Sequence, residues 1–211
     1  SDRGRAVKAE RRSGTLVVET PDAGSLLRFL NLYNNVEGGT MTLRLKDGEA
    51  GVLTGALDTR DFWIVNEPRL KSIVSAAPQG AGRGLDGRTT PQIDTSRVRF
   101  DRGYAVIEAG PQFLRLRKGV VRGPAVGSTF QGTVYDENDR MEMTGTFMPA
   151  YGLNSIFGDV PIVGALLGNG NDKGLIGVTY KLTGNSKSPQ LQINPLSVIA
   201  PGIFRSIFEF Q

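Results

Sequence analysis

The sequence predicts a mainly β protein with some α structure, in which an antiparallel curved sheet forms a groove or partial barrel covered by short amphipathic helices. Three observations predict this fold. At least six segments alternate apolar and polar residues with a period of two. Short polar turns such as Asp47-Gly48 join most of them, so neighbouring strands are antiparallel. Four candidate amphipathic helices can cover the single apolar face that such a sheet presents.

The chain of 211 residues is long enough for one large β domain. Residues 1–13 are polar and basic, which predicts a linker, a frayed start or an exposed strand. We expect residues 14–211 to form the β-groove domain. A short strand is predicted to start at Leu16, and Asp22 is a suitable N-cap for a following helix. The adjacent glycines at positions 38 and 39 are predicted to end that helix.

The strands are predicted from apolar side chains that recur at every second position. Those expected to share the apolar face are Met41, Leu43, Leu45, Leu114, Leu116, Met141, Met143, Val178 and Tyr180. A second helix is expected after Glu67, with Leu70 and Ile73 on its apolar side. Residues 101–103, with the sequence Asp-Arg-Gly, are interpreted as a turn between two strands.

The most apolar part of the chain runs from Tyr151 to Gly168 and predicts two short helices in series, separated at Gly158 and Pro161. They are interpreted either as a lid over the core of the sheet or as a surface for acyl chains or a membrane, with Phe157 and Leu166 among the candidate lipid contacts. A final helix carries an apolar stripe predicted to contact a membrane or a partner: Ile203, Phe204, Ile207 and Phe208.

The composition restricts the chemistry that this chain can perform. It contains no cysteine and no histidine, which excludes disulfides, zinc–thiolate sites, cysteine catalysis and every triad that uses histidine. The net charge of +4 suits a partner of negative charge. Arg115, Arg117 and Arg122 lie on the polar sides of predicted strands, where they either solvate that face or form a rim for phosphate headgroups.

Five segments of the second half are more specific than general alternation: LRLRKGVVRGPAVG (114–127), FQGTV (130–134), GTFMPAYGLNSIFGDVPIVG (145–164), GLIGVTYKLTG (174–184) and SPQLQINPLSVIAPG (188–202). They resemble the C-terminal domain of AsmA-like proteins, with the YhdP-type members of Gram-negative bacteria as the most similar branch. The earlier segments DAGSLLRFL (22–30) and GGTMTL (38–43) extend the resemblance, which covers roughly residues 15–211 and includes no catalytic motif.

The resemblance implies a non-catalytic periplasmic module that binds or conducts phospholipid between the inner and outer membranes and supports envelope integrity. Members of this family are anchored in the inner membrane by an N-terminal helix, and their β-groove has an apolar interior. No cofactor, metal or nucleic acid is expected. The alternative is an assembly domain that docks an outer-membrane or periplasmic protein without binding lipid. An enzyme ranks third, because histidine and cysteine are absent.

Overall fold

The computed structural model describes residues 6–76, 93–149 and 175–199, and these form one antiparallel sheet of ten strands in sequence order. The strands are β1 Lys8–Arg12, β2 Thr15–Thr20, β3 Val36–Asp47, β4 Leu53–Val65, β5 Arg97–Gly110, β6 Phe113–Arg122, β7 Val126–Tyr135, β8 Arg140–Pro149, β9 Leu175–Asn185 and β10 Gln190–Ile199. Over these residues the sheet does not close, and it curves into a groove. The predicted fold class is therefore confirmed.

The two ends of the strands differ in how the chain connects them. At one end, here called the helix end, helix α1 (Ala23–Phe29) joins β2 to β3 and helix α2 (Pro68–Ala76) follows β4. At the opposite hairpin end, the chain reverses through short segments at residues 13–14, 48–52, 111–112, 136–139 and 186–189. Because successive strands are antiparallel, every second connection returns to the same end, so both described helices lie at the helix end, together with the tight turn of residues 123–125 between β6 and β7.

The hydrophobic core lies at the helix end. Its buried members are Val36, Phe62, Ile73, Val98, Phe100, Val126, Phe147 and Val178. The rings of Phe62 and Phe100 stack with their centroids 5.4 Å apart. Ile73 of α2 belongs to this cluster, and Leu27 of α1 packs against it. The helices therefore fill one half of the apolar face.

The helix predictions are largely confirmed at their starts. The Asp22 carboxylate accepts the backbone N–H of Ser25 at 3.0 Å and so caps α1. Leu70 and Val74 of α2 pack on the core beside Ile73. Neither of these two helices has the length and apolar character needed to span a bilayer.

The predicted end of α1 was wrong, because Gly38 and Gly39 lie inside β3 instead. Both have positive φ, +64° and +80°, and Asp61 in the paired strand β4 has φ +51°. A Cβ on Gly39 would lie 2.7 Å from the Cβ of Phe62, which explains the glycine at this close approach. The two glycines separate two parts of β3. Before them the buried side chain has an even number, Val36, and after them the buried side chains have odd numbers, beginning with Met41.

Two predicted boundaries also need correction. Residues 101–103 are not a turn but lie within the fourteen-residue strand β5. The buried positions of β5 change there from even numbers, as at Phe100, to odd numbers, as at Gly103, so the local loss of alternation resembled a chain reversal.

In the basic start, Lys8–Arg12 form an edge strand paired with β2, so this part is an exposed strand and not a linker.

The predictions for residues 151–168, with Phe157 and Leu166, lie outside the described residues. The same holds for the final apolar stripe at Ile203, Phe204, Ile207 and Phe208.

Candidate functional site

The strand register brings the apolar positions of nine strands into one continuous row. Pairing partners run across the sheet from β2 to β10 without a break in apolar or glycine character. The row consists of Leu16, Leu45, Gly55, Ile107, Leu116, Gly132, Met143, Leu182 and Leu191. We call it the apolar row, and the face that carries it the apolar face.

All nine side chains that the sequence assigned to lipid binding within the described strands share this face. Met41, Leu45, Met143 and Val178 are buried, each at most 7% exposed. The other five are half-buried: Leu43, Leu114, Leu116, Met141 and Tyr180. Their common face follows from the pairing, because partners in neighbouring strands point to the same side of a sheet.

Among the described residues, burial differs along the apolar face, and we call the half at the helix end the filled half and the half toward the hairpin end the open half, although Leu45, Ile107 and Met143 are buried there too. At the helix end, α2 contacts β9 and β10 and contributes to the buried core. Toward the hairpin end lie half-buried aliphatic side chains that do not belong to that core cluster: Leu16, Val18, Leu43, Leu53, Leu57, Leu114, Leu116 and Leu182. Such a surface can remove an aliphatic ligand from water without any polar contact.

A pair of polar contacts lies where the helices meet the sheet. The Tyr33 hydroxyl donates to Glu67 Oε2 at 2.7 Å, and Glu67 is only 6% exposed. Glu67 Oε1 also accepts from the backbone N–H and the guanidinium of Arg69, both at 3.1 Å, which holds the start of α2. Burial, together with the Glu67 charge, raises the pKa of Tyr33 above its ordinary value.

Tyr180 lies on the apolar face with its hydroxyl turned to β7. This oxygen is 3.2 Å from the Ser128 hydroxyl and donates to the Thr129 carbonyl at 3.3 Å. Burial raises the pKa of Tyr180. The ring occupies the space over Gly145, where an added Cβ would lie 2.4 Å from it. Tyr180 therefore has a structural role that the alternation in the sequence did not indicate.

The three arginines proposed as a headgroup rim do not form one site. Arg115 and Arg117 both pair with Glu108, and the Arg115 guanidinium lies 4.5 Å from the Phe113 ring centroid. Arg122 lies seven residues after Arg115 in β6, and its pairing partner in β5 is Arg102. Since strands rise about 3.3 Å per residue, it lies roughly 20 Å from Arg115. All three belong to the polar face, and only Arg115 lies next to the hairpin end.

Sequence reasoning found the apolar face but assigned too few residues to it. Leu16, Leu57, Ile107 and Leu182 lie on the same face but are not among the side chains that the sequence assigned to lipid binding. The missing information was the register, which shows that these positions align with the predicted set. Period-two alternation identifies a face within each strand, but it does not show which residues of different strands are neighbours.

The described residues include no cluster of acidic side chains suited to a metal ion. Asp58 accepts hydrogen bonds from Arg102 Nη2 at 2.7 Å and from Arg60 Nε at 3.2 Å. Asp61 pairs with Arg99 at 3.2 Å. These carboxylates therefore take part in ion pairs on the polar face.

Comparison with known proteins gives no further assignment: no family model, no curated protein and no solved structure matches this chain.

Proposed function

We propose that this domain binds the acyl chains of phospholipid against the open half of its apolar face. In this proposal it is a non-catalytic module of an AsmA-like bridge that carries lipid across the periplasm between the inner and outer membranes. The rest of the bridge, including an inner-membrane anchor, follows from the resemblance alone.

The observation that supports this proposal is the apolar row. It presents aliphatic side chains or glycine at every position from Leu16 to Leu191, across nine strands. A core that serves only stability needs burial under a cover, yet Leu116 and Leu182 in this row are half-buried. Each methylene that moves from water onto such a face contributes about 0.8 kcal/mol, so one acyl chain supplies useful affinity.

Charge at the hairpin end is consistent with an amphipathic ligand. Arg115 stands at that end, and its partner Glu108 is shared with Arg117, so two cations face one carboxylate. In this proposal a phosphate headgroup leaving the groove there pairs with Arg115, in competition with Glu108 and with the acidic Asp136 and Glu137 that border the same concavity. Arg122 lies too far away to join this contact and is not part of the proposal.

A second candidate function, docking of an envelope protein, is favoured by a different surface. The C-terminal end of α1 and the residues after it expose Phe29 at 85%, Leu30 at 50% and Leu32 at 40%. Large apolar side chains grouped in this way often mark a contact with a protein or a membrane. This patch lies at the helix end, away from the half-buried leucines, so substitutions can separate the two functions.

The proposal is tested by replacing Leu43 with aspartate and measuring the phospholipid that the purified protein retains. Leu43→Asp places a charge on the apolar face, and we expect lipid retention to fall at least tenfold because a buried charge is strongly unfavourable there. Lipid is extracted and quantified by mass spectrometry, and circular dichroism verifies that the variant is folded.

Thr40→Asp is the control, because it adds the same charge on the polar face of β3, where its pairing partner is Arg60. It should retain lipid like the unchanged protein. Phe29→Asp tests the docking candidate and should leave lipid retention unchanged. A folded wild-type protein that carries no lipid after expression in a Gram-negative host, and takes up none from vesicles, would contradict the proposal.

A further inference from the structure

A concavity bordered by the described residues lies on the polar face, behind the apolar face discussed above. It has a volume of about 880 Å³ and crosses β6 to β10. The alternate positions of these strands place Thr129, Thr144 and Thr179 along it. Gln131 and Gln192 extend the same surface. We call this concavity the polar trough.

The lining of the polar trough combines uncharged hydrogen-bonding groups with positive charge. Threonine hydroxyls and glutamine carboxamides each offer both donors and acceptors. The ionisable side chains that line it are Lys118 and Lys181, and both are cationic. Lys181 is 2.8 Å from Glu142 Oε1, whereas no ion pair of Lys118 is found among the described residues.

The floor of the trough is rigidly supported from the apolar side. The Phe130 ring occupies the space over Gly119, where an added Cβ would lie 2.3 Å from it, and Tyr180 does the same over Gly145. Tyr180 also bonds the backbone of β7. On the polar side, Val120, which is 3% exposed, lies among the threonines that line the trough. Little reorganisation is therefore needed when a ligand binds.

A β-bulge shapes the edge of the trough and places its unpaired lysine. The pairing of β6 with β7 shifts between Leu116 and Gly119, and Lys118 within this interval has φ +50°. A non-glycine residue in the left-handed region carries conformational strain, which is frequent where a bulge directs a side chain toward a site.

We propose that the polar trough binds a phosphorylated sugar, either free or as the headgroup of a lipid. Sugar hydroxyls match groups that both donate and accept, such as those of Thr144 and Gln131. The C–H faces of the sugar ring match the threonine methyl groups and Val120. The phosphate pairs with Lys118 and competes with Glu142 for Lys181. This inference is independent of the lipid groove, which uses the opposite face of the same strands.

The test is a titration of the 211-residue protein, labelled at its threonine methyl groups, followed by nuclear magnetic resonance. Glucose 1-phosphate should shift the methyl signals of Thr129, Thr144 and Thr179 while leaving that of Thr15 in β2 unchanged. Vesicles containing phosphatidylinositol provide the lipid-borne form of a similar headgroup. Shifts with the soluble ligand support a free sugar phosphate, and shifts with the vesicles alone support a lipid headgroup.

Variants determine whether the named groups make the contacts. Lys118→Met should weaken binding about tenfold, as expected for the loss of one charge-assisted hydrogen bond. Thr144→Val, which removes a hydroxyl and keeps the shape, should weaken it by a smaller factor. Lys46→Met, an exposed lysine on β3, is the control and should bind normally. Equal shifts with inorganic phosphate, or no shift with any of these probes, would overturn the proposal.

Discussion

The helix end and the hairpin end of this sheet use the same apolar face in different ways. At the helix end, Phe147 and Val178 are 2% and 0% exposed, and α2 contributes Ile73 to their cluster. At the hairpin end, Leu43 and Leu116 remain half-buried although they belong to equally regular strands. The difference indicates that the helix end supplies the stability of the domain, while the hairpin end has apolar surface left for a ligand.

The largest expected difference between the two ends is in the cost of truncating a side chain. Phe147→Ala should lower the free energy of unfolding by about 3–5 kcal/mol, because a well-packed core leaves a cavity. Leu43→Ala should lower it by only about 1 kcal/mol, since this side chain is partly exposed already. Urea denaturation of the lipid-free protein measures both. Similar losses at the two positions would mean that the hairpin end is an ordinary core.

Glycines under aromatic rings should be nearly as sensitive. A Cβ on Gly145 would lie 2.3 Å from the backbone oxygen of Thr129, which cannot move without disturbing the sheet. Gly145→Ala should therefore cost about 1–3 kcal/mol, as expected for overpacking. Gly103→Ala is the matched control, because its Cβ would meet only the side chains of Phe62 and Val121 at 3.3–3.4 Å. Thermal and urea unfolding should show the larger loss for Gly145→Ala.

The tyrosine that binds the start of α2 predicts a dependence of stability on alkaline pH. The folded state raises the pKa of Tyr33, so its neutral form stabilises the fold fully below the unfolded pKa of about 10. This contribution decreases as the pH rises above that value toward the folded pKa. Tyr33→Phe should lower stability by about 1–2 kcal/mol near pH 7, because Glu67 loses a partner, and it should weaken the decline above about pH 10.

Tyr180→Phe separates this effect from general alkaline denaturation. Burial also raises the pKa of Tyr180, so this variant should also weaken the decline, but it leaves the bond between Tyr33 and Glu67 intact. The double variant should lose more of the pH dependence than either single one. Urea midpoints measured from neutral to alkaline pH test this order. An unchanged alkaline decline in the double variant would contradict the assignment.

The smallest expected effects lie on the polar face. Asp58→Asn removes a carboxylate shared by Arg60 and Arg102 and should cost about 1 kcal/mol. Asp61→Asn removes an exposed pair with Arg99 and should change stability by less than about 0.5 kcal/mol. Asparagine also tolerates the positive φ at position 61. A larger loss for Asp61→Asn than for Asp58→Asn in urea unfolding would invert the expected order.

The sequence was sufficient to predict the fold class, because alternation persists in strands such as Leu114–Arg117 and Val178–Lys181. It also located α2 from Leu70, Ile73 and Val74. It failed where the buried side of a strand changes between even and odd positions, at the positive-φ glycines 38 and 39 of β3 and between Phe100 and Gly103 of β5. Val36–Asp47 was therefore divided between a helix stop and a strand, and Arg97–Gly110 between two strands.

For the candidate site, the sequence predicted only which side chains of each strand share a face. The alternation selected Leu43, Leu116 and Met143, but the apolar row across nine strands depends on long-range pairing that no local pattern contains. The polar trough was not predicted at all. Thr144 and Thr146 alternate with apolar residues as any solvated strand does, and only the pairing across β7 to β9 aligns them with the other residues of the concavity.

The central claim is that an acyl chain lies on the open half of the apolar face, and site-specific photo-crosslinking tests it most directly. Probes at Leu116 and Met143 should label phospholipid in cells, whereas probes at Arg44 and Thr54, exposed positions on the polar face outside the polar trough, should not. Leu116 and Met143 flank Gly132 in the apolar row, so both should label the same lipid species. Equal labelling from the two faces, or no labelling from either face of a folded protein, would contradict the lipid groove.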